Sequence, residues 1–299
     1  MNDLSPSRPS AIAGPPLEQA AFDRLAALAH REAGLAIAPS KSAMVRTRLA
    51  RRLRALRIGS YDEYTALVES DAGQAERREM ISALTTNVSH FFREDHHFTR
   101  LQEEVFPELR KRLAQGDRVR FWSAGCSNGQ EPYSLAMSFL EAGPLPANAD
   151  FRILATDIDP KVVAFGRAGR YHERMMSGLG DAHRQAYFTP CPQDPSHHVI
   201  SQKLKSLVVF RELNLLHKWP MGGKFDVIFC RNVVIYFDAD TQTRLWHRFA
   251  GALHPDAWMF LGHSERVSET CLNLFHNRGV TAYQRSDHPA AASPLPSCT

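Results

Sequence analysis

The segment Gly125-Cys126-Ser127-Asn128-Gly129-Gln130-Glu131-Pro132-Tyr133-Ser134 follows the apolar run VRFWSA and combines two glycines, a carboxylate and a proline. Glycines let a backbone approach a ligand closely, and a proline is suited to open a helix. The turn resembles a nucleotide-binding turn but is not GxGxxG. A dinucleotide pyrophosphate needs free N–H groups and no acid at the helix N-terminus, where Glu131 would repel it. The acid suits a cationic ligand, such as the ammonium or sulfonium of S-adenosylmethionine. It is equally what a helix start uses to complement its own dipole.

A second acidic pair closes the run RILATDID. An acid there can accept both hydroxyls of an adenosine ribose, and an acid before a proline can cap the next helix. The assignment is Asp157 for the ribose and Asp159 for the cap, before Pro160. Further on, FDVIFCRNVVIYF ends in Arg231, Asn232 and Tyr236, which brings a cation, an amide and a phenol to one strand end. Polar groups there need partners, whether a ligand or a loop to be tied down. TTNVSHFFRED, from Thr85 to Asp95, mixes hydroxyls, an amide and Arg93 with Phe91 and Phe92, a composition that fits a ligand wall or a capped helix start on a Phe pair.

The segment Lys41 to Arg57 carries Arg46, Arg48, Arg51, Arg52, Arg54 and Arg57 around an apolar stripe of Val45, Leu49, Leu53 and Leu56. Such a face attracts a polyanion, either nucleic acid or a row of glutamates on a partner helix, unless it is only a solvated surface. The 14 histidines contain no HExxH, and His96-His97 and His197-His198 are adjacent, so no metal is expected.

These groups require a scaffold. From Leu17 to about Arg93 apolar residues recur at helical spacing, in the sets Phe22, Leu25, Leu28, Ala29; Val45, Leu49, Leu53, Leu56; and Tyr61, Tyr64, Leu67, Val68. Gly59-Ser60 separates the second helix from the third. After a linking helix through Phe98, Leu101, Val105, Phe106 and Leu109, strands are expected at Val119 to Ser123, Arg152 to Thr156, Val208 to Glu212, Phe225 to Cys230, Trp258 to Gly262 and Val280 to Gln284. Helices fall at Pro132 to Glu141, Pro160 to Arg167 and Asp240 to Leu253. Strands alternating with helices imply an α/β domain with a mostly parallel, doubly wound sheet, which binds ligands beyond its carboxyl strand ends. The expected division is a tail at 1–16, a helical domain at 17–92, an α/β domain at 93–285 and a tail at 286–299. An insertion at about 187–205 comprises a Pro-rich loop and one strand.

The chain has 299 residues, 43% of them hydrophobic and 23% charged, enough for a full core. Its five cysteines are scattered without a CxxC, which argues against disulfides and fits a reducing compartment. The N-terminal stretch lacks the basic and apolar regions of a signal peptide, and no run approaches the roughly 18 apolar residues that span a bilayer. A cytoplasmic location follows as the expectation. The net charge of +4 points only weakly to an acidic partner.

Taken together, TTNVSHFFRE, GCSNGQEPYSLAM, ATDID, the Asn214-Leu215-Leu216 after VVFRE, FCRNVVIYFD and GHSE (Gly262 to Glu265) resemble the chemotaxis receptor methyltransferases, the CheR family. The resemblance runs in order from about Leu17 to Arg285. It implies a Rossmann-like S-adenosylmethionine-dependent methyltransferase domain, a small all-helical N-terminal domain and an inserted antiparallel β-subdomain. It further implies an O-methyltransferase that esterifies glutamates on the cytoplasmic helices of chemoreceptors in chemotactic adaptation, leaving S-adenosylhomocysteine. By position, Asn87, Ser89, Arg93, Gly125, Glu131, Asp157, Asn214, Leu215, Arg231 and Asn232 would line the cofactor site. Ser89 stands where many relatives have Thr, and Gln130 where an acid is common. Arg93 and Tyr236 are the candidates to orient the substrate carboxylate, and the arginines of the second helix the candidates to meet the receptor.

Two rivals remain at this stage. A nucleic-acid methyltransferase would use the arginine helix on phosphates, but the chain has no NPPY-like element and no aromatic platform among those arginines. A cofactor-sensing adaptor would bind the ligand and transfer nothing.

Overall fold

The computed structural model describes residues 15–286, so the two expected tails fall almost wholly outside the described residues. The chain divides into two compact units, residues 1–86 and 87–299.

The first unit is helical: α1 (Gln19–Ala33), α2 (Ser42–Leu56), α3 (Tyr61–Glu69) and α4 (Gln74–Leu84). Each expected apolar stripe faces the core, with Phe22, Leu25, Val45, Leu49, Leu53, Tyr61 and Tyr64 at most 2% exposed. Leu56 is the exception and lies on the surface. The stop and restart at Gly59-Ser60 is realised by Ser60, whose Oγ accepts the Glu63 N–H at 3.2 Å and caps α3. Helix α4 was not anticipated as a separate element. Its Glu76 is buried, accepting from Arg52 of α2 and from the Tyr64 hydroxyl at 2.9 Å.

The second unit begins at Asn87, not at Arg93. Four bonds hold residues 87–92 within it: Asn87 Nδ2 to Asp159, Ser127 Oγ to the Asn87 carbonyl, Gln130 Nε2 to the Ser89 carbonyl and the Phe92 N–H to Ser134 Oγ. The linking helix is α5 (His96–Arg100) and α6 (Phe106–Ala114), joined by a π-turn at Leu101–Val105 just before Pro107, which has no N–H to give the helical ladder.

Beyond it run β1 (Val119–Ala124), α7 (Gln130–Glu141), β2 (Phe151–Asp157), α8 (Pro160–Ala168), β3 (Arg170–His172), α9 (Asp181–Tyr187), β4 (Phe188–Cys191), β5 (Asp194–Ile200), α10 (Gln202–Lys205), β6 (Val208–Glu212), β7 (Phe225–Cys230), α11 (Ala239–Ala252), β8 (Leu253–Leu261), β9 (Phe275–Asn277) and β10 (Ala282–Arg285). The main sheet has the order β6-β2-β1-β7-β8-β10-β9, parallel from β6 to β8, with β10 antiparallel to both neighbours. Its central strands bury both faces: β7 is wholly buried, and along β1 Phe121 joins the core on one face while Trp122 joins the other.

Two expectations need correction. The last strand starts at Ala282, because Val280 is 64% exposed in the turn before it. The insertion is a three-stranded antiparallel sheet in the order β3-β5-β4 that starts at Arg170, and the segment read as a Pro-rich loop is itself the β4–β5 hairpin. Pro190 is tolerated there because β4 is an edge strand.

Candidate functional site

The carboxyl ends of β1, β2 and β7 converge on the glycine turn. The Gly125 and Cys126 N–H groups both donate to the Thr156 carbonyl of β2, at 2.8 and 2.9 Å. Gly125 has φ +85°, and a Cβ there would lie 2.2 Å from Val233 Cγ2, so only glycine fits. Gly129, also at φ +85°, abuts the Gly166 backbone and opens α7. Both glycines thereby let the turn pack tightly against Val233 on one side and Gly166 on the other.

Glu131 and Arg231 form a buried ion pair across this turn. Glu131 Oε2 accepts from Arg231 Nε at 2.8 Å, and Oε1 accepts from Ser123 Oγ of β1 at 2.6 Å. Their side chains are 8% and 2% exposed. Arg231 also donates to the Arg93 carbonyl, lies 3.6 Å from Glu94 and stacks over the Phe229 ring at 5.1 Å. Glu131 is therefore not the free anion that its position in the sequence suggests, since a cation of the chain already shares its charge. His97, fully buried beside Arg231, is held neutral: burial and then the Arg231 charge push it down to about 2.

Asp157 ends β2 with its oxygens at backbone donors: Oδ2 accepts the Ser127 N–H at 2.8 Å and Oδ1 the Asp159 N–H at 3.0 Å. Burial outweighs these bonds and pushes its carboxyl up to about 6. Asp159 caps α8 through Lys161 N at 3.0 Å, as assigned, and its other oxygen accepts Asn87 Nδ2 at 2.9 Å.

Glu265, the last residue of the GHSE motif, has a structural role that its sequence position alone does not reveal. It is 2% exposed and accepts four backbone N–H groups: Asn232 at 2.8 Å, Val233 at 2.8 Å, Ile235 at 3.2 Å and Gly262 at 2.6 Å. One carboxylate thus ties the end of β8 to the loop after β7. That loop holds Asn232 at φ +60° and a short 3₁₀ turn, Val234–Tyr236. Burial raises the Glu265 carboxyl while the N–H groups oppose it. The legible signal was an acid three residues past a glycine at a buried strand end. The Tyr236 hydroxyl, in the same loop, makes no hydrogen bond among the described residues.

The remaining candidates divide. Arg93 donates to the Val88 carbonyl at 3.0 Å, lies 4.0 Å from the Glu94 carboxylate, and is flanked by Phe92 and Glu94 at φ +52° and +56°, a strained turn. Ser89 contributes its carbonyl to Gln130. Asn214 folds its Oδ1 onto the Leu216 N–H at 2.9 Å, and the Leu215 side chain joins the core around Trp122, so Leu215 can offer a ligand only backbone. The arginines of α2 belong to the other compact unit. There Arg46, Arg51, Arg54 and Arg57 are exposed, whereas Arg48 reaches the Leu84 and Thr85 carbonyls and Arg52 pairs with Glu76 and Glu79. Arg52 is thus balanced by two acids of α4. Among the described residues no cluster of three or more His, Cys, Asp or Glu could hold a metal ion, and no helix is long and apolar enough to cross a membrane.

Comparison with known proteins agrees with this geometry. Residues 87–283 match the family model described as the CheR methyltransferase SAM binding domain, and residues 20–85 match the CheR methyltransferase all-alpha domain. The chain is similar to the probable chemotaxis protein methyltransferase of Rhizobium etli, 47% identical over 256 residues that cover 85% of this chain and 96% of that one. It is 40% identical over 270 residues to the chemotaxis protein methyltransferase of Klebsiella aerogenes, covering 90% of each, and 39% identical over 273 residues to that of Escherichia coli, covering 90% and 92%.

Proposed function

The chain belongs to the CheR methyltransferase family and is an S-adenosylmethionine-dependent methyltransferase of chemotaxis, and from that premise we propose that its acceptors are glutamate side chains on the helical cytoplasmic domains of chemoreceptors. The observation that carries the site assignment is the pair of buried carboxylates, Glu131 and Asp157, flanking one glycine turn at the carboxyl edge of adjacent strands. That donor set fits the cofactor. Asp157 accepts ribose hydroxyls, Glu131 keeps lone pairs for an ammonium beside Arg231, and the bare backbone at Gly125 admits the ligand closely. Asn87, Ser89, Asn214, Leu215 and Asn232 complete the wall.

When bound, S-adenosylmethionine supplies an electrophilic methyl group on a sulfonium. A glutamate is already ionised at neutral pH, so the residues here have no proton to remove, and their work is positioning and exclusion of water. Tyr236, with its hydroxyl free, donates to one carboxylate oxygen and aims the other at the methyl group. Arg93, tethered by its bond to the Val88 carbonyl, orients the substrate without neutralising it. On α2 the exposed Arg46, Arg51, Arg54 and Arg57 meet the acidic receptor helix, and Arg48 and Arg52 brace the unit that presents them.

With such acceptors, the proposed site of action is the cytoplasm. The test is incubation with methyl-labelled S-adenosylmethionine and a receptor cytoplasmic fragment. Base-labile label on glutamate supports the reading, and label on nucleic acid or none on the receptor overturns it.

A further inference from the structure

At the amino end of β7, away from the glycine turn, lies a cavity of about 670 Å³, between the loop after β6 and helix α11. Arg231 follows the carboxyl end of β7 and Lys224 precedes its amino end, so at about 3.3 Å per residue the strand sets the two sites roughly 17 Å or more apart. The volume is that of a small-molecule site.

Its charge is one-sided. Lys218, Lys224, Arg244 and Arg248 line it, and no Asp or Glu does. Elsewhere arginines meet either acids, as Arg112 with Asp226 and Arg120 with Asp150, or neutral oxygens alone, as Arg48 and Arg110; here four cations share one lining without an acid. Three of them, Lys224, Arg244 and Arg248, make hydrogen bonds to neutral oxygens, and Lys218, Lys224 and Arg244 are exposed at the rim. Arg248 donates to the Leu215 and His217 carbonyls and lies 4.0 Å from the Trp219 ring centre, which fixes it. Arg244 bonds Thr241 Oγ1 at 2.8 Å. Lys224 and Arg285 converge on one carbonyl, that of Leu253, and burial together with the Arg285 charge lowers the Lys224 ammonium. Like charges gathered without an acid repel one another, and a bound anion relieves that repulsion.

The loop adds a second, independent feature. Gly222 and Gly223 precede Lys224, yet neither has left-handed φ and a Cβ on either would meet nothing within 4 Å. The fold therefore demands neither glycine. Two bare peptide units at the rim do let anionic oxygens reach backbone N–H groups. The floor, with Phe225 and Leu245 buried, is apolar and suits a planar or hydrocarbon body.

We propose that this cavity binds a small phosphate-bearing anion: phosphate oxygens on Lys218, Lys224 and the Gly222-Gly223 backbone, the organic body on the Phe225–Leu245 floor. The test is calorimetry on the full chain saturated with S-adenosylhomocysteine, which closes the cofactor pocket, titrated with inorganic pyrophosphate and with adenosine diphosphate. Both should bind, the nucleotide more tightly. The surface variant Lys218→Ala/Lys224→Ala should weaken both at least tenfold and leave S-adenosylhomocysteine affinity unchanged. Absence of binding at millimolar concentration, equal affinity in the variant, or tighter binding of a polyglutamate peptide than of either phosphate would overturn the assignment.

Discussion

Replacing Glu131 by glutamine removes one charge from a pair whose side chains are 8% and 2% exposed, and little else, because the two side chains have nearly the same shape. Glutamine keeps one acceptor oxygen, so either the Ser123 or the Arg231 hydrogen bond survives, and no cavity is left. What is lost is the neutralisation of a guanidinium that water cannot reach. Breaking a buried pair from one side typically costs about 3–5 kcal/mol. Glu94, still 3.6 Å from Arg231, retains part of the compensation and brings the expected cost to about 3 kcal/mol, the lower end of that range. Urea denaturation reads this as a lower midpoint with an unchanged slope. Arg231→Met should cost a comparable amount by leaving the carboxylate unpaired, and the double variant should lose much less than the sum. S-adenosylhomocysteine affinity should fall more than tenfold in Glu131→Gln. A stability loss under about 0.5 kcal/mol, the size of an ordinary surface change, would refute the reasoning.

Four further outcomes follow. Asp157 titrates at about 6 in the folded chain against about 4 unfolded, so between those values the folded state holds the extra proton. This group therefore lowers stability as pH rises from about 4 to about 6 and adds no slope above, and denaturation at a series of pH values should show that slope vanish in Asp157→Asn. Gly125→Ala should abolish S-adenosylhomocysteine binding in calorimetry, since its Cβ would overlap Val233 in a backbone conformation alanine resists. Tyr236→Phe should reduce kcat about tenfold or more with little change in cofactor affinity, measured by steady-state methylation. Glu265→Gln turns an acceptor into a donor facing backbone N–H groups; a kcat as low as that of Tyr236→Phe, with little additional loss in the double variant, is the expected result.

The parallel strands were legible because a strand buried on both faces reads as a mostly apolar run, as VRFWSA and FDVIFC do, interrupted only by Arg120, Ser123 and Asp226. The small sheet was not, since the prolines of TPCPQDP look like loop chemistry until β4 is seen at a sheet edge. Helix α4 escaped notice because its sequence QAERREMISAL is polar, and Glu76 faces inward only by virtue of Arg52 and Tyr64 on other helices. The site shows the same divide. Glu131 and Asp157 could be located by their offsets from strand ends, which are local. The Glu131–Arg231 pair, 100 residues apart, and the four N–H groups on Glu265 depend on which strands become neighbours. No local pattern encodes that.

The central claim is that two buried carboxylates at adjoining strand ends cradle an adenosyl ligand. Calorimetric titration of S-adenosylhomocysteine into the wild-type chain and Asp157→Asn near neutral pH tests it most directly. The account predicts saturable one-to-one binding to the wild type and at least a tenfold weaker affinity in the variant. Equal affinities, or no binding to the folded wild-type chain, would contradict it.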